Sequence, residues 1–468
     1  MKRRLIKLNT HENVRHPWRN QDFEAQLESG IAEWKTKRAD IYRPLRIEAG
    51  LDNHPHAPLS IIGLRGDCLN GSDGLLLQVE ELIKLSRGEQ DTDKEYVIYP
   101  DFVRFDSGEG KAVLANSVRG HDIYIYADVF NHGVKYLMYG EEQRYSPDDH
   151  YADLKRVIGA IMGKASRVSI IMPMLYEGRQ HRRSLRESLD CAIMLQELRD
   201  MGISNFLTFD AHDPRVQNAI PLLGFDDVHT THQMIKALVN KYGSELSLDR
   251  DKIIVVSPDE GGMSRNIYFS EALKLDLSMF WKRRDYTRVV NGKNPIIEHK
   301  YIGADSLEGL DIIISDDMIA SGASLIDVAD QLKAQGVNRI FAFSPFGLFC
   351  GKSTENDFDK AYEKGVIEQV FTTNLIYRPD WLCGKPWYTE VDLSRYLAMF
   401  IDTLNRDMTI SSLLNTRPRI MNFLIEEGLR TEADYVEDYV DSELLKTDPD
   451  AARANALRRI REVRSKVR

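Results

Sequence analysis

The stretch IIISDDMIASGASL, residues 312–325, predicts the type of fold more clearly than any other part of the chain. Its three isoleucines lead to two adjacent carboxylates, Asp316 and Asp317. Small residues then extend from Ala320 to Ser324, where an amphipathic helical pattern begins. A short apolar run that ends in acids and continues through small residues into a helix is typical of a strand–loop–helix unit in a parallel sheet.

Short apolar runs alternate with helical patterns along most of the chain. The runs predicted as strands are LSIIGLRG (59–66), HDIYIYADV (121–129), RVSIIMPML (167–175), NFLTFDAHD (205–213), KIIVVSPDEGG (252–262), LDIIISDDM (310–318) and RIFAFSPFG (339–347). Helical patterns lie between them at 188–202, 264–275 and 324–336. Continuous apolar strands followed by helices indicate parallel sheets that are covered on both faces. Because 468 residues exceed one typical domain, we predict an α/β protein of two domains with extensions.

Composition and charge argue against several functional classes for this protein. The hydrophobic content of 43% suits large cores, and the net charge of −10 argues against a broad nucleic-acid-binding surface. The four cysteines are widely spaced without a CxxC pair, which argues for reduced thiols and against a zinc site or a disulfide framework. No apolar run approaches the roughly 18–20 residues of a membrane span, and the basic N-terminus lacks the apolar core of a signal peptide. We therefore expect a cytoplasmic protein that binds neither nucleic acid nor a membrane.

The small-residue loop has the composition of a phosphate-binding loop. Backbone N–H groups at a helix start can surround a phosphate only where side chains leave room, as they do at Gly322 and Ala323. Ser321 and Ser324 add hydroxyl donors. The two carboxylates before the loop cannot favour a phosphate, but they suit sugar hydroxyls or a divalent cation. Ribose 5-phosphate satisfies both requirements, and the alternative is a buried strand with an N-capped helix and incidental acids.

The sequence DDMIASGAS (316–324) resembles the phosphoribosyl-binding loop shared by type I phosphoribosyltransferases and ribose-phosphate pyrophosphokinases. Ser321 stands where these families usually have threonine, and it keeps the hydroxyl. Ala323 stands where they usually have glycine, and it adds a methyl group where backbone must approach phosphate. The resemblance implies that Asp316, Asp317 and residues 321–324 bind ribose 5-phosphate.

Five further motifs point to the ribose-phosphate pyrophosphokinases, in that family's order and near its spacing. They are FDSGEGKAVLANSVRG (105–120), GRQHRR (178–183), TFDAHDPRVQ (208–217), VVSPDEGGMSR (255–265) and WKRR (281–284). The resemblance covers about residues 59–415 and implies two phosphoribosyltransferase-like domains, each a mainly parallel sheet flanked by helices. It also implies transfer of diphosphate from ATP to the C1 hydroxyl of ribose 5-phosphate for nucleotide biosynthesis, which would give AMP and 5-phosphoribosyl 1-diphosphate.

The same resemblance assigns the catalytic and metal-binding residues. Lys282 and Arg284 match the motif that opens a mobile catalytic loop, so they would supply cations for the migrating group. His212 and Asp259 match the positions that hold Mg²⁺ or its water shell. The polar segment 285–295 is expected to be a lid that closes over the phosphates.

The resemblance also assigns the ATP-binding residues, which are Phe105, Glu109, Arg179, Gln180 and Arg182. Two neighbouring positions depart from the family pattern, because His181 and Ser107 stand where aspartate is usual. Enzymes of this family generally assemble from dimers and borrow adenine contacts across an interface. We therefore expect a homo-oligomer that is built from dimers, of which a hexamer would be the larger form.

The domain limits expected from these matches are an extension over 1–57, domains over 58–220 and 221–415, and a helical extension over 416–468. The run VIEQVFTTNLI (366–376) resembles a late strand of the family, and we therefore expect the chain to return to the sheet of the first domain near residues 366–415.

Other functional classes stay open. A catalytically weak regulatory homologue, which binds nucleotide or an active partner subunit, would account for His181 and Ser107, whereas the intact WKRR motif opposes it. A phosphoribosyltransferase would use the same ribose loop, but the two-domain strand pattern opposes it. Residue by residue, the basic turn at 282–284 could be a solvated surface, and His212 could belong to a structural hydrogen-bond network at a strand end.

Overall fold

The computed structural model of the chain describes residues 21–38, 41, 54–64, 66, 74–183, 185–284 and 296–467. Within these ranges, the strands of the first half are β1 (Leu59–Gly63), β2 (Val97–Ile98), β3 (Asp101–Arg104), β4 (Gly110–Val113), β5 (Asp122–Tyr126), β6 (Lys135–Met138), β7 (Glu141–Arg144), β8 (Arg167–Ile171), β9 (Asn205–Phe209) and β10 (Gly224–Val228). Six of them form a parallel sheet in the order β10-β9-β8-β5-β1-β2, and β3–β4 and β6–β7 are separate hairpins. The helices of this half are α1 (Gln21–Lys37), α2 (Leu75–Arg87), α3 (Pro147–Ile161), α4 (Asp190–Asp200) and α5 (Thr231–Tyr242).

The second half contains a larger sheet. Its described strands are β11 (Ile253–Ser257), β12 (Leu277–Arg284), β13 (Ile296–Ile302), β14 (Asp311–Ser315), β15 (Met318–Ile319), β16 (Ile340–Ser344), β17 (Phe346–Gly347), β18 (Gln369–Thr373) and β19 (Tyr388–Val391). Seven of them pair in the order β13-β12-β11-β14-β16-β18-β19, and all are parallel except β13, which runs antiparallel to β12. The helices here are α6 (Met263–Leu273), α7 (Ala323–Lys333), α8 (Thr354–Glu363) and α9 (Ser394–Asn405). Every apolar run predicted as a strand in these two sheets is a strand, which confirms the α/β fold class.

The strands are buried on both faces because their residues are apolar without alternation. In β1, Ile61 packs into a cluster with α2 and α9, while Ile62 packs with α3 and α4 on the opposite face. The first of these clusters continues into the second sheet, where it includes Val255. The two sheets therefore share one apolar core, which fixes their carboxyl edges relative to each other.

The expected return of residues 366–376 to the first sheet is wrong. β18 pairs in parallel with β16 and β19 of the second sheet, because its buried side chains continue that sheet's apolar layer, where Phe371 stacks on Phe343 at 4.6 Å. A helix makes the return instead. α9 reaches the first domain through Asp402, which accepts a hydrogen bond from Arg87 (2.7 Å), and Asn405, which donates to Asp122 (2.9 Å).

The chain passes from the first sheet to the second after Val228, whereas the expected limit between the domains is residue 220. β10 is the edge strand of the first sheet, so this sheet extends to Val228. The next element, α5, packs against β18 and β19 of the second sheet. GFDDV, the sequence of β10, has two adjacent acids instead of an apolar run, which is why periodicity did not predict a strand there.

The C-terminal extension is helical, as the sequence predicts. After the short helix α10 (Ser411–Leu414), it contains α11 (Arg417–Glu426), α12 (Val436–Tyr439), α13 (Ser442–Thr447) and α14 (Pro449–Val467). Ile460 of α14 is fully buried in a small cluster with Met421 and Tyr435, so the last helix packs on its own chain. Among the described helices, none has the length and apolar character needed to cross a bilayer.

Candidate active site

The carboxyl edge of the first sheet is anchored by Asp210, which follows β9. Its buried carboxylate accepts hydrogen bonds from the backbone N–H of Thr230 (3.0 Å), from the Thr230 hydroxyl (2.5 Å) and from His229 Nδ1 (3.1 Å). Burial raises the pKa of Asp210, but the hydrogen bond and charge of His229 and the charge of Arg265 outweigh it and leave that pKa below its usual value. Asp210 also has a left-handed φ of 41°, which turns the chain toward His212.

His212 joins the two sheets. Its Nδ1 donates a hydrogen bond of 2.5 Å to Oδ2 of Asp317, which follows β14 in the second sheet. This bond raises the pKa of His212. For Asp317, burial alone would raise the pKa, but the His212 hydrogen bond and the charge of Arg265 bring it below its usual value. The pair is therefore a hydrogen-bonded bridge between residues 105 positions apart in the chain.

The adjacent carboxylate behaves in the opposite way. Burial and the negative charges of Asp317 and Asp259 raise the pKa of Asp316. Its Oδ1 accepts a hydrogen bond from the backbone N–H of Asp317 (2.8 Å). Three carboxylates thus lie close enough to affect one another, and such a group attracts a cation or hydroxyl donors.

Asp259 reaches this group through the turn after β11. Its Oδ1 accepts a hydrogen bond from the N–H of Gly262 (3.1 Å), which closes the turn before α6. Asn266 of α6 donates to the carbonyl of Ser315 (2.7 Å) and accepts from its N–H (3.1 Å). Because Ser315 directly precedes Asp316, this double hydrogen bond fixes the Asp259 turn against the two acids.

The small-residue loop is packed on one side and open on the other. Gly322 is buried with φ +82°, and a Cβ built there would lie 2.2 Å from the ring of Phe358. Ser321, Ala323 and Ser324 are exposed, and the hydroxyl of Ser321 accepts a long hydrogen bond of 3.5 Å from the N–H of Ala323, the first residue of α7. An exposed helix start that is surrounded by small residues is the arrangement that binds an anion.

A large cleft borders the first sheet. It has a volume of about 880 Å³ and is lined by Asp148, Tyr176, Glu177, Arg179, Gln180, His181, Arg182, Glu187, Ser188, Asp190 and His212. A smaller cavity of about 130 Å³ also contacts Glu177, Arg179 and His212, and it extends to Asp317. The cleft and the carboxylate group therefore meet at His212. Of the predicted ATP-binding residues, Arg179, Gln180 and Arg182 line this cleft.

His181, which replaces the aspartate usual in the family, faces the same place. Its ring centroid lies 5.2 Å from that of His212, and its Nε2 lies 3.5 Å from Oδ2 of Asp213. Burial lowers the pKa of His181, with Asp213 opposing that effect. The substitution therefore places a second imidazole beside His212.

Two predicted ATP-binding residues lie elsewhere. Phe105 and Glu109 are at the tip of the β3–β4 hairpin, where the N–H of Phe105 donates to the carbonyl of Glu109 (2.9 Å). Phe105 is 49% exposed, and neither residue lines the two cavities found in the described part of the chain. The structure does not bring them to the cleft of the same chain.

Lys282 and Arg284 lie on β12, beyond its last pair with β11, which joins Ser257 to Met279. Because these strands are parallel, this end of β12 continues past the carboxyl edge of the second sheet, on the side of the Asp259 turn. The side chains of Lys282 and Arg284 lie outside the described structure, as does the whole expected lid at 285–295.

Sequence reasoning missed several residues of the site. Asp148 and Tyr176 line the cleft, where the Tyr176 hydroxyl donates to Asp148 (2.6 Å). His229 and Thr230, which hold Asp210, follow β10, the strand that periodicity did not predict. Tyr176 lies two residues before the motif at 178–183, which is a signal that sequence analysis could have used, whereas no motif lies near His229.

The fold and the site together define a two-domain protein of the phosphoribosyltransferase type. The family model described as the N-terminal domain of ribose phosphate pyrophosphokinase matches residues 94–202, and that of the phosphoribosyl transferase domain matches residues 226–376. The chain belongs to the ribose-phosphate pyrophosphokinase family, a family of transferase enzymes, which confirms the resemblance found in the sequence.

Relatives and a solved structure agree with this assignment. A ribose-phosphate pyrophosphokinase of Vibrio parahaemolyticus is 28% identical over 323 residues, which cover 67% of this chain and 90% of that protein. Ribose-phosphate pyrophosphokinase 1 of Streptococcus agalactiae is 26% identical over 280 residues, or 59% of this chain and 77% of that one. The crystal structure of phosphoribosylpyrophosphate synthetase from Mycobacterium smegmatis has a TM-score of 0.58 at 17% identity and covers 75% of this chain and 99% of its own.

Proposed function

We propose that the chain transfers the β,γ-diphosphate of ATP to the C1 hydroxyl of ribose 5-phosphate. The oxygen of that hydroxyl would lose its proton and bond to the β-phosphorus. The bond between the β-phosphorus and the oxygen that bridges it to the α-phosphorus would break, and AMP would leave with that oxygen. The observation that carries the proposal is the 2.5 Å hydrogen bond between His212 and Asp317. It joins the nucleotide cleft of one sheet to the ribose loop of the other, as transfer between two substrates requires.

Ribose 5-phosphate would bind at the second sheet. The 5-phosphate would accept hydrogen bonds from the N–H groups and hydroxyls of residues 321–324, where Gly322 keeps the loop close to Phe358. Asp316 and Asp317 would accept hydrogen bonds from the ribose hydroxyls. The raised pKa of Asp316 fits this role, since hydroxyl donors or a cation would relieve the repulsion between the acids.

ATP would bind in the cleft of about 880 Å³, with Arg179, Gln180 and Arg182 on its phosphates. Phe105 and Glu109 would bind adenine in another copy of the chain, because neither lines the cleft described above and the tip of the β3–β4 hairpin is exposed. This assignment requires a homo-oligomer built from dimers.

The residues present fit a magnesium ion that keeps most of its water. Within the described chain, no group of three or more histidine, cysteine, aspartate or glutamate side chains is arranged to enclose a metal. Mg²⁺ is usually held by one or two carboxylates together with substrate phosphates, and Asp259 with His212 would hold it in that manner. When bound, the ion would neutralise charge on the migrating phosphates.

Lys282 and Arg284 would supply the remaining positive charge from β12, and residues 285–295 would exclude water. Diphosphoryl transfer depends mainly on positioning and charge neutralisation. Removal of Lys282 or Arg284 should therefore lower the reaction rate more than any other single substitution. We place the reaction in the cytoplasm, because Cys191, Cys350 and Cys383 are free thiols, as suits a reducing compartment.

The test is to incubate the purified chain with ATP, Mg²⁺ and ribose 5-phosphate and to identify the products. We expect AMP and 5-phosphoribosyl 1-diphosphate in equal amounts, with loss of about 10³-fold or more in rate for Lys282→Ala. Lys300→Ala, an exposed lysine on the paired strand β13, is the matched control and should retain activity. Formation of ADP would contradict the mechanism. Nucleotide binding without turnover would favour a regulatory homologue instead.

A further inference from the structure

The small-residue loop rests on a second segment, residues 348–354, to which the proposed function assigns no role. Three consecutive carbonyls at the start of the loop accept hydrogen bonds from this segment, and they belong to Ile319, Ala320 and Ser321. Backbone N–H groups hold the first two carbonyls, in the bonds from Leu348 to Ile319 (2.9 Å), from Phe349 to Ile319 (3.3 Å) and from Cys350 to Ala320 (2.9 Å). A side chain holds the third, since the hydroxyl of Thr354 donates to the carbonyl of Ser321 (3.1 Å).

These hydrogen bonds decide which way the loop turns its N–H groups. The peptide units here are trans, so each C=O points opposite to the N–H of the next residue. Because the carbonyls of Ala320 and Ser321 point toward residues 348–354, the N–H groups of Ser321 and Gly322 point away from that segment. An anion is bound by a loop whose N–H groups face it and whose carbonyl oxygens face elsewhere. The segment therefore orients the loop for an anion on the opposite side.

Helix α8 supports the loop at two points. Thr354 is the first residue of α8 and Phe358 lies four residues later, so both side chains lie on one face of the helix. Thr354 holds Ser321, and the ring of Phe358 fills the space beside Gly322. Each of the two side chains is only 1% exposed. Water therefore cannot replace the hydroxyl of Thr354 without a change in this packing.

Phe349 adopts an uncommon backbone conformation within the segment. Its φ of 45° lies in the left-handed region, which a bulky side chain rarely occupies. The ring is buried and packs edge to face against Phe358 and Trp381, with centroids 5.5 Å and 5.9 Å apart. Such strain persists only where the surrounding packing fixes it, and it is concentrated at functional sites. The aromatic packing thus holds the turn from which Phe349 and Cys350 donate to the loop.

We propose that Thr354 is a positioning residue for the binding of ribose 5-phosphate, an inference that rests on the proposed function of the loop. Thr354 is covered by the loop and acts through the carbonyl of Ser321. Without the hydroxyl, the peptide unit between Ser321 and Gly322 would be free to rotate, and its N–H would leave the direction of the phosphate. The fraction of chains with a competent loop would fall, and the apparent affinity for ribose 5-phosphate would fall with it.

The experiment measures the affinity of the full chain for ribose 5-phosphate by isothermal titration calorimetry. Mg²⁺ and α,β-methylene-ATP are present, because the proposed transfer cannot break the bridge of that analogue. Thr354→Val keeps the shape of the side chain and removes the hydroxyl, so it should raise the Kd by about 5–20-fold. Thr354→Ser keeps the hydroxyl and should return the Kd to within about 2-fold of the wild type. The KM for ATP should stay unchanged in both variants.

Thr208→Val is the matched control. The hydroxyl of Thr208 is fully buried and donates to the carbonyl of Pro173 at the same distance of 3.1 Å, but within the first sheet. This variant should lose stability as Thr354→Val does and keep the wild-type affinity for ribose 5-phosphate. Gly351→Ala is a second test variant, since a Cβ built there would lie 2.5 Å from Oγ1 of Thr354. It should displace the hydroxyl and weaken ribose 5-phosphate binding with Thr354 still present.

Formation of AMP from ATP, measured on the same preparations, separates this inference from the proposed function. Wild-type affinity in Thr354→Val and Gly351→Ala, or an equal loss in Thr208→Val, would overturn the positioning role and leave the proposed function standing if AMP forms. Affinity that depends on Thr354 without AMP formation would support the positioning role and overturn the reaction. A wild type that does not bind ribose 5-phosphate would overturn both. If Thr354→Val does not fold, Gly351→Ala is judged by the same criteria.

Discussion

The carboxyl edge of the first sheet is lined by long polar side chains, whereas the edge of the second sheet continues into a loop of small residues. Around the first edge, Arg179, Arg182 and His212 reach into an open cleft from exposed or partly exposed positions. At the second edge, Gly322 sets a tight turn before the small, exposed residues at the start of α7. Each edge follows from its composition, because long charged residues follow β8 and small residues follow β14.

The difference between the two edges predicts which substitutions each of them tolerates. A side-chain site can exchange one polar residue for another, and His181, at a position where aspartate is usual, lies 3.5 Å from Asp213 through its Nε2. A backbone site has no such freedom where packing is tight, since any added atom at Gly322 meets Phe358. Substitution of Gly322 at the second edge should therefore affect folding and binding together, and substitution of Arg179 or Arg182 at the first edge should affect binding alone.

Gly322→Ala should have the largest effect of the variants that separate the two edges. The left-handed φ and the clash with Phe358 together should lower the free energy of unfolding by about 2–4 kcal/mol, measured by urea denaturation. Gly384 is a matched control, because its φ is +84° and nothing lies within 4 Å of a Cβ built there. Gly384→Ala should lose about 1–2 kcal/mol from the backbone alone. Equal losses in the two variants would mean that the loop is not tightly packed.

Arg179→Gln should weaken the binding of ATP without affecting the fold. Loss of one charged hydrogen-bond donor to a phosphate should raise the KM for ATP by about 10-fold, with the KM for ribose 5-phosphate unchanged. Arg183→Gln is the control, since Arg183 is exposed and does not line the cleft in the described structure. Steady-state kinetics with each substrate varied in turn would measure this. An equal rise in both KM values would show that the cleft is not dedicated to the nucleotide.

The bridge between the edges should contribute stability that depends on pH. The pKa of folded His212 is raised above its ordinary value of 6.5, so its contribution is complete below pH 6.5 and is lost as pH rises through the folded-state pKa. Because the side chain is 37% exposed, solvent screening limits this contribution to about 1 kcal/mol or less. Urea unfolding of the wild type and His212→Gln at pH 6 and pH 8 would measure it. A difference that grows toward the higher pH would contradict the bridge.

Phe105→Ala should have the smallest effect on the stability of the chain. The side chain is 49% exposed at a hairpin tip, so the free energy of unfolding should change by less than about 0.5 kcal/mol. If the hairpin serves a neighbouring copy, the KM for ATP should nevertheless rise. Mixing Phe105→Ala with an Arg179→Gln chain should restore some ATP affinity, because one hybrid site then has both residues intact. No restoration in mixed oligomers would contradict the shared site.

Much of the fold was predictable because buried parallel strands are continuous apolar runs. The strands at 59–63, 122–126 and 311–315 follow directly from that pattern. β10 was missed because its acids at 226 and 227 break the pattern at a sheet edge. The placement of 366–376 was wrong because an apolar run specifies a buried strand without specifying its neighbours. Pairing with β16 depends on the whole layer of aromatic side chains in the second sheet.

The candidate site was predictable where function requires a motif and unpredictable where folding alone makes the contact. The loop at 316–324 and the cleft residue Arg179 follow from motifs in the sequence. The hydrogen bonds of Asp210 to His229 and Thr230 do not, because β10 and the start of α5 have no motif. The bond of His212 to Asp317 joins two predicted residues, but their contact across the sheets depends on the shared core.

The most direct test of the two-edge site is a double-mutant cycle on His212→Asn and Asp317→Asn, with kcat/KM for diphosphoryl transfer as the measured quantity. Each single variant should lower kcat/KM by about 10–100-fold, as losses of groups that support a metal site do. Because the two side chains share one hydrogen bond, the double variant should be only slightly worse than the poorer single variant, with a coupling energy of about 1–3 kcal/mol. Effects that multiply in the double variant would contradict the account, since the two sheets would then act on the reaction independently.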